Sequence, residues 1–125
     1  MNRVRHTNVP LEVLIGDVRA LQGLTTICRH VCHCFVVDEI GVMAHEGNNE
    51  AETFLCEVLC HSVMKLRVMS YIYLKTLPKP QEQTKKALIE FETNPENTNL
   101  VKLAMEVIQD EGKEPLSRSR ALNIS

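Results

Sequence analysis

The chain contains no tryptophan, and only three Phe and two Tyr among its 125 residues. That scarcity argues against a base-stacking surface and against a core built around large rings. Glycine and proline are also few, five of each. They fall at what read as helix ends, which favours an all-helical fold over a sheet with many turns. No apolar run approaches the roughly 20 residues that span a bilayer. The start, Met1-Asn2-Arg3-Val4-Arg5-His6, lacks the apolar stretch of a secretory leader. An excess of charge is missing too: 14 basic and 16 acidic residues leave a net charge of −2, with no bulk attraction for nucleic acid or an anionic membrane. These absences predict a cytoplasmic protein with no nucleic-acid or membrane partner.

The residues present read as one ordinary globular domain, 44% hydrophobic and 24% charged. The expected architecture is all-α: a long antiparallel helical hairpin plus two shorter C-terminal helices, within a single domain over residues 1–112. Residues 113–125 lack any period and read as a flexible tail. Thr7 or Asn8 is the natural cap of the first helix, with Pro10 in its first turn. Leu14, Val18, Leu21, Cys28, Cys32 and Phe35 follow at spacings of four and three, Thr25 filling the missing step, as in a helix laid along another. Gly23 within that seam marks a kink or a close approach, and Arg29 and His33 lie on the polar side. Gly41 is the expected terminator, with a loop over 41–49 and Asn49 capping the next helix.

A second long helix is expected over about 50–77. Leu55, Leu59, Leu66 and Tyr73 form its core line, flanked by Val58, Val63 and Met69, with Glu57, His61 and Lys65 as a solvated stripe. Val68, Ile72 and Leu74 widen its apolar arc beyond one partner's reach, the main sign of a homo-oligomer. Leu77-Pro78-Lys79-Pro80 ends it. A third helix runs from Pro80 to Thr93, with Ala87, Leu88 and Phe91 inward. Asn94-Pro95 opens a fourth, with Leu100, Val101, Ala104, Met105 and Ile108 inward and Gly112 as its stop.

One constellation could carry chemistry. Cys28 and Cys32, and Cys56 and Cys60, are i, i+4 pairs, each on one helix face. In an antiparallel hairpin, Cys28 with Cys60 and Cys32 with Cys56 share one midpoint, Ala44, which lies inside the expected loop. Four converging thiolates suit zinc, an iron–sulfur cluster or copper(I). The paired Cys-x3-Cys units also resemble those of the small chaperones of the mitochondrial intermembrane space, which implies two interhelix disulfides. The longer separation of the pairs and the extent of chain beyond them depart from that family. The competing reading takes these cysteines as small buried hydrophobes of a reduced interior.

Other motifs fall to their missing partners. His30, His33, His45 and His61, with Glu46, Glu50 and Glu57, lack the Glu-x-x-His spacing of di-metal bundles and read as surface groups. Cys34 beside His33 is a thiol with no stated activator. Phe35-Val36-Val37-Asp38-Glu39 looks like the acid-bearing strand of a nucleotide hydrolase, but no phosphate-cradling G-x-x-x-x-G-K-[ST] accompanies it. No G-x-S-x-G elbow occurs. Arg3, Arg5, Arg118 and Arg120 read as solvated ends. A helix-turn-helix over residues 80–111 would present Glu96, Glu106 and Asp110, which suit a protein partner better than DNA. The expected function is therefore a non-catalytic protein–protein interaction module of adaptor or inhibitor type, acting as a homo-oligomer without a cofactor. The alternative is a metal or redox protein using Cys28, Cys32, Cys56 and Cys60, with zinc the expected metal. A weaker alternative is an enzyme whose site forms between subunits.

Overall fold

Leu66, Val68, Met69, Tyr71, Ile72, Tyr73 and Leu74 are all buried on one short helix, Met64–Lys75 (α4). A helix apolar on every side must be surrounded, and the rest of the chain surrounds it. The computed structural model describes residues 9–21 and 30–113, with side chains over 9–21 and 34–110. Its described residues form six α-helices and no strand: Leu11–Arg19 (α1), His30–His45 (α2), Asn49–Val58 (α3), α4, Glu82–Thr93 (α5) and Thr98–Lys113 (α6), with a single 3₁₀ turn at Pro95–Asn97. Helices α2, α3, α5 and α6 all pack on α4, and α1 packs on α2. The wide apolar arc of α4 is thus consumed inside the chain, so it is no sign of a second subunit. Among the described residues, no helix is long and apolar enough to cross a membrane.

The end of α2 corrects the reading of Gly41. The helix runs through Gly41 to His45, and the chain turns at Gly47, whose φ of 101° suits glycine. Gly47 N–H donates to the Ala44 carbonyl (3.1 Å) and Asn48 N–H to the Met43 carbonyl (3.0 Å), the paired bonds of a Schellman cap. Asn48, not Asn49, caps α3, its Oδ1 accepting from Ala51 N–H at 3.0 Å. Gly41 is instead a contact position: a Cβ there would overlap the Tyr73 ring. The missing side chain lets α2 lie close on α4, and the Tyr73 hydroxyl donates to Asp38 of α2. The segment Phe35–Glu39 is helix, not strand.

The second correction concerns the long second helix, which is two helices. α3 ends at Val58, the connection Leu59–Val63 turns the chain, and α4 begins at Met64. Leu55, Val58, Leu59, Val63 and Leu66 still reach the core, as their spacing predicts. The buried Ser70 hydroxyl ties the two helices by donating to the Leu55 carbonyl (2.5 Å). Phe35, expected in the first seam, is 56% exposed. Leu14, Val18 and Leu21 are buried as expected. Gly23, Thr25, Cys28, Arg29 and the cap residues Thr7 and Asn8 lie outside the described residues.

In the C-terminal part, Leu88 and Phe91 of α5 face inward, and Asn94 Oδ1 accepts from Glu96 N–H (3.0 Å) to open the 3₁₀ turn. Helix α6 continues past Gly112 to Lys113. Tyr71 stacks on Phe91 with ring centroids 5.1 Å apart, and its hydroxyl donates to Glu92 (2.5 Å), which also pairs with Lys75 at 2.7 Å. Burial, then the neighbouring carboxylate, push the Tyr71 phenol above its ordinary value. Although burial opposes it, Lys75 and the Tyr71 hydroxyl hold the Glu92 carboxyl below its own. This knot fastens α5 to α4.

Candidate functional site

The described members of the four-cysteine set face different elements. Cys56 is half-buried on α3, and its thiol donates to Thr84 Oγ1 of α5 at 3.5 Å. Leu55 and Val58 take the core-facing positions beside it. Because α3 stops at Val58, Cys60 is no longer one helical turn above Cys56; it lies in the connection and is exposed. The turn between α2 and α3 is centred on Gly47 rather than on Ala44. The side chains of Cys28 and Cys32 themselves lie outside the described residues. Among the described residues, no cluster of three or more His, Cys, Asp or Glu side chains is arranged to hold a metal ion.

The Cys56 thiol belongs to a polar node between α3 and α5. Glu52 is buried, and its Oε2 accepts from Gln81 N–H (2.7 Å) and Thr84 Oγ1 (2.5 Å) at the first turn of α5. A carboxylate there satisfies orphan donors and meets the positive end of the helix dipole. Burial, reinforced by Glu52 and opposed by the Thr84 hydrogen bond, pushes the Cys56 thiol up. Burial likewise raises Cys34, against the pull of Lys65 and with the push of Asp38. Both are poor thiolate formers, the opposite of an activated nucleophile.

An open cleft of about 380 Å³ lies where α1 meets the α3–α4 connection, lined by Arg19, Phe54, Glu57, Val58, Cys60 and His61. The Arg19 guanidinium donates from Nε and Nη2 to the two Glu57 carboxylate oxygens, both at 2.8 Å, and sits over the Phe54 ring at 5.4 Å. The hydrogen bond from Arg19 holds the Glu57 carboxyl below its ordinary value, against burial. Arg19 and Glu57 are spent on each other, so the cleft's charge is internally balanced. Cys60 meets solvent at its rim.

His61 departs furthest from its expected place. The sequence reading puts it on a solvated stripe, whereas it is 4% exposed. Its Nε2 lies 2.9 Å from the Val18 carbonyl of α1, and its Nδ1 accepts from Val63 N–H at 3.0 Å. The Arg67 guanidinium donates to the His61 carbonyl at 2.6 Å. Because a carbonyl only accepts and an amide N–H only donates, the ring must carry its proton on Nε2 and none on Nδ1. The break in the long helix is what carries this ring under α1.

Of the remaining candidates, His45 is exposed with Nε2 at 2.9 Å from the Tyr73 carbonyl, and Glu46 and Glu50 are exposed. The His30 and His33 side chains lie outside the described residues. Arg19, Glu52 and Thr84 escaped the sequence reading. Their partners are 38, 29 and 32 residues away along the chain, and no local spacing marks such pairs. No family model, no curated protein and no solved structure matches this chain.

Proposed function

We propose that the chain is a non-catalytic helical interaction module, of adaptor or inhibitor type, that self-associates through α6. The observation that carries this reading is a half-buried stripe of Val101, Met105 and Ile108 at i, i+4 and i+7. It runs beside Leu100, Ala104 and Val107, which the bundle buries. The apolar arc of α6 is therefore wider than the face that its described neighbours cover, and this spacing is how helices dock on one another. The wide arc of α4 is satisfied internally; that of α6 remains.

The flank of the stripe suits a second copy. In an antiparallel pair of α6 helices about a twofold axis near Met105, Val101 lies against the other copy's Ile108 and Met105 against Met105. The same register sets Lys102 beside Glu106, and both are exposed. An isologous interface needs such self-complementarity. Sedimentation equilibrium over graded concentrations tests it. Met105→Glu should weaken association at least about tenfold, since a lone charge would be buried at the axis. Lys102→Glu should weaken it a few-fold and the swap Lys102→Glu/Glu106→Lys should restore it, as for exposed ion pairs. A wild-type chain that stays monomeric at the highest attainable concentration overturns the reading.

A further inference from the structure

We propose that His61 is an acid-released latch holding α1 onto the corner between α3 and α4. The ring is buried, and it joins the Val18 carbonyl near the end of α1 to the Val63 N–H that precedes α4. Both partners are backbone groups of fixed polarity, so only the neutral Nε2–H imidazole satisfies them together. Adding a proton to Nδ1 sets an N–H against the Val63 N–H and breaks that bond. It also puts a positive charge at the start of α4, the positive end of a helix dipole.

The charged and titratable groups around the ring do not compensate. From α3, Glu57 favours a charged imidazole, but it is held by both donors of Arg19 from α1. From α4, the Arg67 guanidinium sits on the His61 carbonyl and repels a second cation. Among the described residues, the remaining titratable neighbour in the cleft is the exposed Cys60. The proton therefore goes to the form in which the ring has left its seat.

What opens is defined by length. Helix α1 has nine residues, too few to persist alone in water, so undocking it means unfolding it. Leu11, Leu14 and Val18 then leave the core, and an apolar face of α2 becomes accessible. The inference does not rest on self-association through α6.

The test is backbone amide exchange on the full chain, followed by NMR from about pH 7.5 to about pH 5.5, across the range where imidazole titrates, and corrected for intrinsic exchange. In the wild type, protection of the α1 amides should fall by up to about tenfold per pH unit, the limit for one coupled proton, while α5 and α6 hold theirs. His61→Gln keeps a donor for Val18 but takes up no proton, so its α1 profile should be flat; His45→Gln should behave as wild type. A pH-independent wild type, or an equal fall in His61→Gln, overturns the latch. Should His61→Gln not fold, the wild-type ring spectrum decides: α1 opening must share the midpoint of the His61 titration. An imidazolium at His61 with α1 still protected overturns the proposal.

Discussion

The chain reverses direction twice between α2 and α4, and the two corners are built from different materials. At Glu46–Asn48 the turn is local: a glycine with positive φ, two bonds to the carbonyls just behind it, and an asparagine capping the helix ahead. At Leu59–Val63 there is neither glycine nor proline. That turn is held by a buried imidazole reaching to Val18, 43 residues away, and by Arg67 on the His61 carbonyl. The first corner is specified by its own residues. The second has local turn bonds too, from Cys60 N–H to the Glu57 carbonyl and from His61 N–H to the Val58 carbonyl, but adds to them an anchor on α1.

This difference has consequences that can be broken experimentally. The largest belongs to the second corner. His61→Ala leaves the Val63 N–H unpartnered and opens a void under α1, and should cost about 3 kcal/mol in a urea titration. The loss should appear first as exposure of α1, because the remote anchor is what fails. A comparable cost from a change confined to residues 46–48 would erase the distinction between the corners.

Next come the two glycines, which separate turning from contact. Gly41→Ala drives a methyl into the Tyr73 ring and should cost about 2 kcal/mol, as overpacking does. Gly47→Ala meets no atom within 4 Å but must hold φ near +101°, at about 1 kcal/mol. Asn48→Ala loses the cap on Ala51 N–H and should cost about 1 kcal/mol. Thermal melts of the three variants give the order. If Gly41→Ala proves milder than Gly47→Ala, α2 and α4 have room to separate and the close approach is not tight.

The same contrast explains what the sequence shows. Helical class, the inward positions Leu88 and Phe91 of α5 and Leu100 and Ala104 of α6, and the cap at Asn94 follow from periodicity and local turn chemistry, which travel with short stretches of chain. Gly41 misleads because a glycine that ends a helix and one that lets two helices touch look identical in one dimension. The break at Leu59–Val63 is invisible because the apolar spacing of Leu55, Leu59 and Leu66 continues through it. The His61 seat and the Arg19–Glu57 and Glu52–Thr84 pairs join residues from separate elements, so no spacing rule finds them. The i, i+4 spacing of Cys56 and Cys60 is legible, but the end of α3 at Val58, which puts Cys60 in the connection, is not.

The smallest effect sharpens the second corner by dividing its pH response. The Arg19 hydrogen bond holds Glu57 below the ordinary carboxylate value, so its contribution is present above about pH 4.3 and is lost as pH falls through the folded-state value. The proposed His61 latch has the opposite cause, a seat that fits only a neutral ring, and would release as pH falls through the imidazole range, before the carboxylate limb is reached. Both side chains of the ion pair are half or more exposed, so Glu57→Gln should leave the neutral-pH melting temperature unchanged within error. Its effect should be confined to the acidic limb of a stability-against-pH curve, which becomes shallower below about pH 4.3, while the limb assigned to His61 keeps its midpoint. If Glu57→Gln shifts the His61 limb instead, the carboxylate governs the imidazole directly, and the corner answers to acid as one coupled unit rather than as two separate groups.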